Sequence, residues 1–154
     1  MQWQKALGGG NRDRAHSIIQ TKDGGYIIAG KSESYDGDVS GNHGNNDYWV
    51  VKLDNSGNLQ WQKALGGGGR DEAWAITQTT DGGYIVAGLS FSNDGDVSGN
   101  HGGSDYWVVK LDISGTLQWQ KAFGGSSGDW AHSIILTRDD GYIITGVSES
   151  TDGD

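Results

Sequence analysis

An internal repeat with a period of 58 residues is the feature that most constrains the fold of this chain. The tetrapeptide Trp-Gln-Lys-Ala occurs three times, beginning at Trp3, Trp61 and Trp119. Aligned without gaps, residues 3–60 and 61–118 are identical at 44 of 58 positions, and residues 119–154 continue the pattern. A period of this kind indicates units that bury apolar surface by stacking on their neighbours.

Each unit has the pattern of four short strands. In the second copy these strands are predicted at residues 73–79, 84–89, 106–111 and 117–123. Asp81-Gly82-Gly83 predicts a tight two-residue hairpin turn, because Asp-Gly and Gly-Gly supply the positive φ that such turns need. A long polar loop over residues 93–104 separates the second strand from the third. No segment carries an apolar stripe of helical period, so the sequence predicts an all-β protein.

Two consecutive hairpins per unit predict one four-stranded antiparallel sheet, and radial repetition of such sheets makes a β-propeller. The predicted fold is therefore a set of β-propeller-type blades, with a parallel β-helix as the alternative. The predicted division is an outer strand in residues 1–11 (formed by residues 2–7), blade 1 at 12–69, blade 2 at 70–127 and a partial blade 3 at 128–154. A closed ring needs about four to eight blades. The expected partners are other copies of the chain or further blades of a longer parent chain.

Composition excludes several classes of function. The net charge of -9, with no Lys/Arg cluster, argues against nucleic-acid binding, which needs a basic face. No apolar run approaches about 18 residues, so no membrane span is predicted. The chain has no Cys, which removes disulfides and thiolate metal sites. The first five residues, from Met1 to Lys5, do not resemble a signal peptide.

The long loop carries oxygen-bearing side chains at a regular spacing. Counted from Asp36 or Asp94, they fall at positions 1, 3 and 5, with Gly at position 6 and a carboxylate at position 12. This spacing resembles the EF-hand calcium loop. Calcium takes about six to eight oxygen ligands, which alternate residues can direct to one centre. The predicted calcium ligands are Asp36, Asp38, Ser40, Asn42 and Asp47 in the first loop, and Asp94, Asp96, Ser98, Asn100 and Asp105 in the second.

The loop also departs from the EF-hand pattern. Ser at position 5 and Asp at position 12 are weaker ligands than the usual residues, so the expected affinity is low, about 10⁻⁴–10⁻³ M. The alternative is a solvated Asp/Asn/Gly turn without a metal. His43 and His101, at position 8, are expected to be exposed spectators, because calcium prefers oxygen ligands.

Two further sets of residues need an interpretation. Asp13, Asp71 and Asp129 recur in the Gly-rich link between units. They are predicted to cap turns by accepting backbone N–H bonds, since a catalytic carboxylate would need a cleft and a partner. Trp74 and Trp130 have no Trp at the equivalent positions of the other copies, and they are candidates for stacking on sugars.

Three segments of the second unit, residues 81–88, 105–112 and 117–121, carry a resemblance to a known family. They resemble the Gly-rich propeller-type repeats of large secreted or surface-displayed bacterial proteins, notably of Bacteroidetes-like bacteria. The strand order also resembles that of kelch repeats. The resemblance implies a propeller fold and an extracellular or cell-surface location. It implies no particular activity, because a propeller fold alone does not reveal a function.

The expected function is that of a non-catalytic extracellular repeat module. In this hypothesis the chain is a calcium-stabilised scaffold that is structural, adhesive or self-assembling. A carbohydrate-binding, lectin-like propeller is the alternative. An enzyme is not expected, because nearly identical units lack the asymmetry of a single catalytic constellation.

Overall fold

The computed structural model describes residues 3–153 of the chain, and this part contains ten β-strands and no helix. Met1, Gln2 and Asp154 lie outside it. The strands are β1 Asp13–Gln20, β2 Tyr26–Ser32, β3 Asp47–Leu53, β4 Leu59–Leu65, β5 Asp71–Gln78, β6 Tyr84–Ser90, β7 Asp105–Leu111, β8 Leu117–Phe123, β9 Asp129–Leu136 and β10 Tyr142–Ser148. The all-β prediction is confirmed. Within residues 3–153 there is no long apolar helix that could cross a membrane.

The strands form three antiparallel sheets. Strands β1 to β4 form the first in sequence order, β5 to β8 form the second in the same order, and β9 pairs with β10 in the third. The registers coincide after a shift of one repeat, since Asp13 faces Ser32 as Asp71 faces Ser90. The predicted four-stranded antiparallel sheet is confirmed, and the parallel β-helix is wrong. The described sheets do not close into a ring.

The hairpin between β5 and β6 differs from the predicted two-residue turn. The Thr79 N–H donates to the Gly83 carbonyl at 2.9 Å, and the Gly82 N–H donates to the Thr79 carbonyl at 3.1 Å. These bonds enclose a three-residue loop in which Gly82 has φ +87°. A three-residue hairpin loop ends in a left-handed residue, which glycine adopts without steric cost.

Successive sheets pack face to face. Strand β5 packs against β1, β2 and β3 of the first sheet, and β9 packs against β5, β6 and β7 of the second. Across the first interface the Tyr48 and Trp107 rings lie 4.5 Å apart, and the Tyr48 hydroxyl donates to the Trp107 carbonyl at 2.7 Å. A Cβ on Gly88 would lie 2.8 Å from this hydroxyl oxygen, so the close approach requires glycine. Tyr106 has the same relation to Gly146, at 2.7 Å.

The tryptophan of each fourth-strand segment packs on the next unit. Trp61 lies 5.8 Å from Tyr84, and Trp3 lies 5.8 Å from Tyr26 (ring centroids). Residues 3–7 nevertheless form no strand, although a strand was predicted over 2–7. The equivalent segment β4 pairs with β3, and no such third strand lies beside residues 3–7 in the described chain.

Candidate functional sites at the unit junctions

The Gly-rich link before each first strand is held by a buried or half-buried aspartate. At the junction of the first two sheets, Asp71 accepts hydrogen bonds from the hydroxyls of Ser90 and Ser92 as well as from the link. The link bonds pair Asp13 with the Gly9 N–H at 2.8 Å, Asp71 with Gly67 at 2.8 Å and Asp129 with Gly125 at 2.9 Å. The prediction that these aspartates cap turns through backbone N–H groups is confirmed.

The link also binds the first two predicted calcium ligands of each loop. The carboxylates of these aspartates accept hydrogen bonds from backbone N–H groups of glycines in the link that precedes the first two strands of the unit. The pairs are Asp36 with Gly10 at 2.6 Å, Asp38 with Gly8 at 3.1 Å, Asp94 with Gly68 at 2.8 Å and Asp96 with Gly66 at 3.3 Å. These four aspartates therefore dock the long loop onto the link.

The Ser and Asn residues of the loops contact neighbouring strands. Ser40 Oγ accepts a hydrogen bond from Gln62 Nε2 on β4 at 2.7 Å, and Ser98 has the same bond from Gln120 at 2.6 Å. The amide groups of Asn42 and Asn100 each donate to a carbonyl at the end of the unit's second strand. The acceptors are Ser32 and Ser90, both at 3.0 Å.

The last predicted ligand, Asp47 or Asp105, is fully buried and pairs with a histidine of its own loop. Asp47 Oδ2 accepts the His43 backbone N–H at 2.9 Å and lies 2.7 Å from His43 Nδ1. His101 and Asp105 repeat these contacts at 3.0 and 2.7 Å. The two histidines are exposed, as predicted, and each ring is also held by a buried carboxylate of its own loop, a contact that the sequence did not predict.

The predicted ligands thus form hydrogen bonds with four separate parts of the chain: the link, the fourth strand, the end of the second strand and the histidine of the loop itself. In residues 3–153 no three acidic or histidine side chains are grouped so that they could hold a metal ion. Calcium binding by the ten loop residues stays a prediction from the loop sequence.

The structure instead brings carboxylates of two successive units together around Gly66. A Cβ on Gly66 would lie 2.5 Å from Asp71 Oδ2 and 2.8 Å from Asp47 Oδ1, so both carboxylates face this glycine. Asp47 Oδ1 is buried and has no hydrogen-bond partner. Burial raises the pKa of Asp47 and the pKa of Asp71, because a buried site disfavours the charged form of each carboxyl group.

The first strands bring three aromatic rings together. Each first strand has a β-bulge at the same position, and the bulged residues are His16, Trp74 and His132. The His16 ring stacks on Trp74 with a centroid distance of 4.4 Å and an angle of 17°, and His132 lies 5.6 Å from Trp74. The sequence alignment equated these three positions but gave no sign that they would be in contact.

The two candidate sugar-binding tryptophans line one groove between the second and third sheets. The groove has a volume of ≈ 320 Å³ and is lined by Arg70, Trp74, Leu89, Phe91, Trp130 and His132. At the preceding junction Lys31 and Glu72, the equivalents of Leu89 and Trp130, form a buried ion pair across the two sheets. The repeat therefore exchanges an ion pair for an aromatic groove at its second junction.

Neither a protein-family model nor a curated protein sequence matches this chain.

Proposed function

We propose that this chain is a non-catalytic structural module that assembles head to tail through the faces of its sheets. We call the side of each sheet that carries Ile18, Ile76 or Ile134 the front face, and the side that carries Ile27, Ile85 or Ile143 the back face. In each trio the residues occupy equivalent positions of successive units. Their exposure is the observation that carries the proposal.

Inside the chain, each front face covers the back face of the preceding unit. Ile76 and Ile134 are 4% and 6% exposed, and Ile27 and Ile85 are 0% exposed. Ile27 and Ile76 belong to one buried cluster, and Ile85 and Ile134 belong to another. At the two ends the same positions are open, with Ile18 60% and Ile143 52% exposed.

A second copy of this chain carries the complement of each open face. Its back face around Ile143 can cover the front face around Ile18, as Ile27 covers Ile76 within the chain. Such a contact is heterologous, so it leaves one front and one back face free and can continue into longer assemblies. The back face consists only of β9 and β10, so we expect weaker binding between copies than between the internal sheets.

Single charges at the two faces should block this assembly. We expect the mean mass of the wild type in light scattering to rise with concentration, and Ile18→Asp and Ile143→Asp to remain monomeric. An equimolar mixture of these two variants should form dimers and stop there, because each retains one intact face. Ile113→Asp is the matched control, since Ile113 is 65% exposed in the turn between β7 and β8.

Two results would refute the assembly proposal. One is a wild type that stays monomeric at every concentration. The other is an Ile113→Asp variant that loses association as fully as Ile18→Asp, since this would indicate a general effect of charge and not a defined face.

The non-catalytic assignment is supported by the repetition of the polar groups. The His43–Asp47 contacts recur at His101 and Asp105, and so does the aspartate cap of the link. A catalytic constellation would be expected once, in one cleft. A propeller-type arrangement of the sheets is a further part of the proposal, supported by the repetition of four-stranded sheets and by the sequence resemblance. A location outside a bacterial cell is also part of it and rests on the resemblance alone.

A second candidate function is saccharide binding in the aromatic groove. The specific support is that Trp74 and Trp130, together with Phe91, line the same hollow. Aromatic rings offer an apolar face. Arg70 also lines the groove; its Nε and Nη2 groups lie 2.9 Å from Glu72 Oε1, and its remaining N–H groups can donate to a ligand. The stacked His16 ring covers part of Trp74, which leaves Phe91 and Trp130 as the expected contact surfaces.

A glycan array tests this second candidate. We expect the wild type to retain at least one glycan, and Phe91→Ala and Trp130→Ala to lose about tenfold or more in affinity, since one aromatic contact contributes on the order of 1–1.5 kcal/mol. Trp119→Ala is the control, because Trp119 is similarly exposed outside the groove. Saccharide binding would be rejected if no glycan binds, or if both groove variants bind as the wild type does.

A further inference from the structure

Three positions that line the aromatic groove are apolar, whereas the equivalent positions at the preceding junction are charged. The groove residues are Leu89, Phe91 and Trp130, and their equivalents are Lys31, Glu33 and Glu72. Phe91 is 48% exposed, so its ring faces solvent and does not fill the core between the sheets. An exposed aromatic ring that lines a groove is instead typical of a ligand-binding surface.

A glycine in the third unit makes room for one of the groove's rings. Gly128 occupies the position that is Arg12 in the first unit and Arg70 in the second. A Cβ on Gly128 would lie 3.0 Å from Trp130 Cζ2, which is closer than side chains normally pack. The loss of an arginine at position 128 and the gain of a tryptophan at position 130 therefore belong to the same local change.

Arg70 presents one edge of its guanidinium group to a ligand. Its Nε and Nη2 atoms each lie 2.9 Å from Glu72 Oε1, so this carboxylate fixes one edge of the planar group. The outer edge, formed by Nη1 and the second N–H of Nη2, has no hydrogen-bond partner within residues 3–153, and the Arg70 side chain is 51% exposed. Two parallel N–H groups on one edge match the two oxygens of a carboxylate.

The charges beside the groove leave an excess of positive charge. Burial raises the pKa of Glu72, but the hydrogen bonds from Arg70 and Lys31 outweigh burial and lower the pKa, so this group is ionised at neutral pH. One carboxylate therefore balances two cations, and none of the described residues that line the groove is acidic. This local excess contrasts with the net charge of -9 of the whole chain and favours an anionic ligand at the groove.

We infer that the aromatic groove binds saccharides that contain a hexuronate residue, an inference that rests on the saccharide-binding function proposed above and names its ligand class. The uronate carboxylate accepts two hydrogen bonds from the outer edge of Arg70, and the C–H face of the pyranose ring packs on Phe91 or Trp130. A hexuronate carries its carboxylate at the rim of the ring, so one sugar residue makes both contacts.

The size of the groove agrees with a short saccharide segment. Its volume of ≈ 320 Å³ is at the lower end of the range of about 300–1,000 Å³ found for small-molecule pockets, so it suits one or two sugar rings. Glu72 acts as a positioning residue in this arrangement, because it is 2% exposed and holds Arg70 from the side away from the ligand.

Titration calorimetry with matched acidic and neutral ligands tests the inference. The probes are oligosaccharides of galacturonate, glucuronate and mannuronate, and the fully methyl-esterified form of each, which keeps the ring and removes the charge. We expect at least one acidic oligosaccharide to bind about tenfold or more tightly than its ester, because charge-assisted bidentate hydrogen bonds are lost in the ester. The protein carries Ile18→Asp, so that association between copies does not contribute.

Variants of Arg70 identify the group that recognises the charge. Arg70→Gln should reduce the affinity for the acidic form to that for the ester and leave the affinity for the ester unchanged, which also shows that the groove is intact. Arg70→Lys should bind the acid with intermediate affinity, since it keeps the charge but lacks the planar fork. Arg12→Gln is the matched control, because Arg12 occupies the equivalent position of the first unit and does not line the groove.

The outcomes separate this inference from the saccharide-binding function on which it rests. Equal affinity for acid and ester, with loss of both in Phe91→Ala, would overturn the hexuronate assignment and leave saccharide binding in place. The absence of binding by every saccharide would reject both. An unchanged acid preference in Arg70→Gln, an equal loss in Arg12→Gln, or equally tight binding of a Glu-rich peptide would also overturn the hexuronate assignment.

Discussion

Replacing Tyr48 by alanine is expected to lower the free energy of unfolding by about 3–5 kcal/mol, the usual range for removing a buried aromatic side chain. Tyr48 is fully buried, packs on Trp107 of the next sheet and donates to its carbonyl. The loss should be seen as a lower midpoint in urea unfolding. Tyr48→Phe, which keeps the ring and removes only the hydrogen bond, should cost about 1 kcal/mol.

Tyr35→Ala is the control for this prediction. Tyr35 is 62% exposed and makes no contact with the next sheet among the interactions described, so its removal should cost less than about 1 kcal/mol. Equal losses for Tyr35→Ala and Tyr48→Ala would contradict the role given to Tyr48 in joining the sheets.

Replacing Asp71 by alanine is expected to lower the free energy of unfolding by about 3 kcal/mol, because three donors lose their acceptor inside the protein. These donors are the Gly67 N–H and the hydroxyls of Ser90 and Ser92. Relief of the repulsion between Asp71 and Asp47 offsets part of the loss. Urea unfolding at fixed pH measures the net effect.

The first unit contains a matched site for this experiment. Asp13 accepts the equivalent bonds from the Gly9 N–H and from the hydroxyls of Ser32 and Ser34, but it is only half-buried. Water can replace the lost acceptor there, so Asp13→Ala should cost about 1 kcal/mol. Equal losses of stability in Asp13→Ala and Asp71→Ala would contradict this account, in which burial by the preceding unit makes the hydrogen bonds of Asp71 more important than those of Asp13.

The repeat period and the local strand patterns were sufficient to predict the sheets. Period-two alternation and Gly-rich turns predicted the strands of the second unit to within about two residues of β5 to β8. The caps formed by Asp13, Asp71 and Asp129 were also predictable, since a short carboxylate beside backbone N–H groups of a turn has few other roles.

The partners of the loop residues were not predictable, because they lie far away in sequence. The alternation of Asp36, Asp38 and Ser40 suggested one centre, whereas Gly10, Gly8 and Gln62 are their partners in the structure. The spacing of side chains along a loop does not indicate which distant backbone groups will need acceptors. The Gly-rich link gave one indirect indication, since it contains more backbone N–H groups than its single predicted aspartate cap can accept.

Contacts between units were hidden for a different reason. In the sequence, the replacement of Lys31 by Leu89 and of Glu72 by Trp130 appears as two unrelated differences between copies. Only the packing of one sheet on the next shows that the two positions face each other. Tyr48 and Gly88 also gave no indication of their contact, because the same residue types occupy the equivalent positions in every complete copy.

Amide hydrogen exchange of the wild type and of Tyr48→Ala tests most directly whether successive units stabilise each other through their faces. Tyr48 belongs to the first sheet, so we expect its removal to lower protection in β5, β6 and β7 of the second sheet as well as in β1 to β4. Protection lost in β1 to β4 alone, with β5 to β8 unchanged, would show that the units are stable independently and would contradict this account.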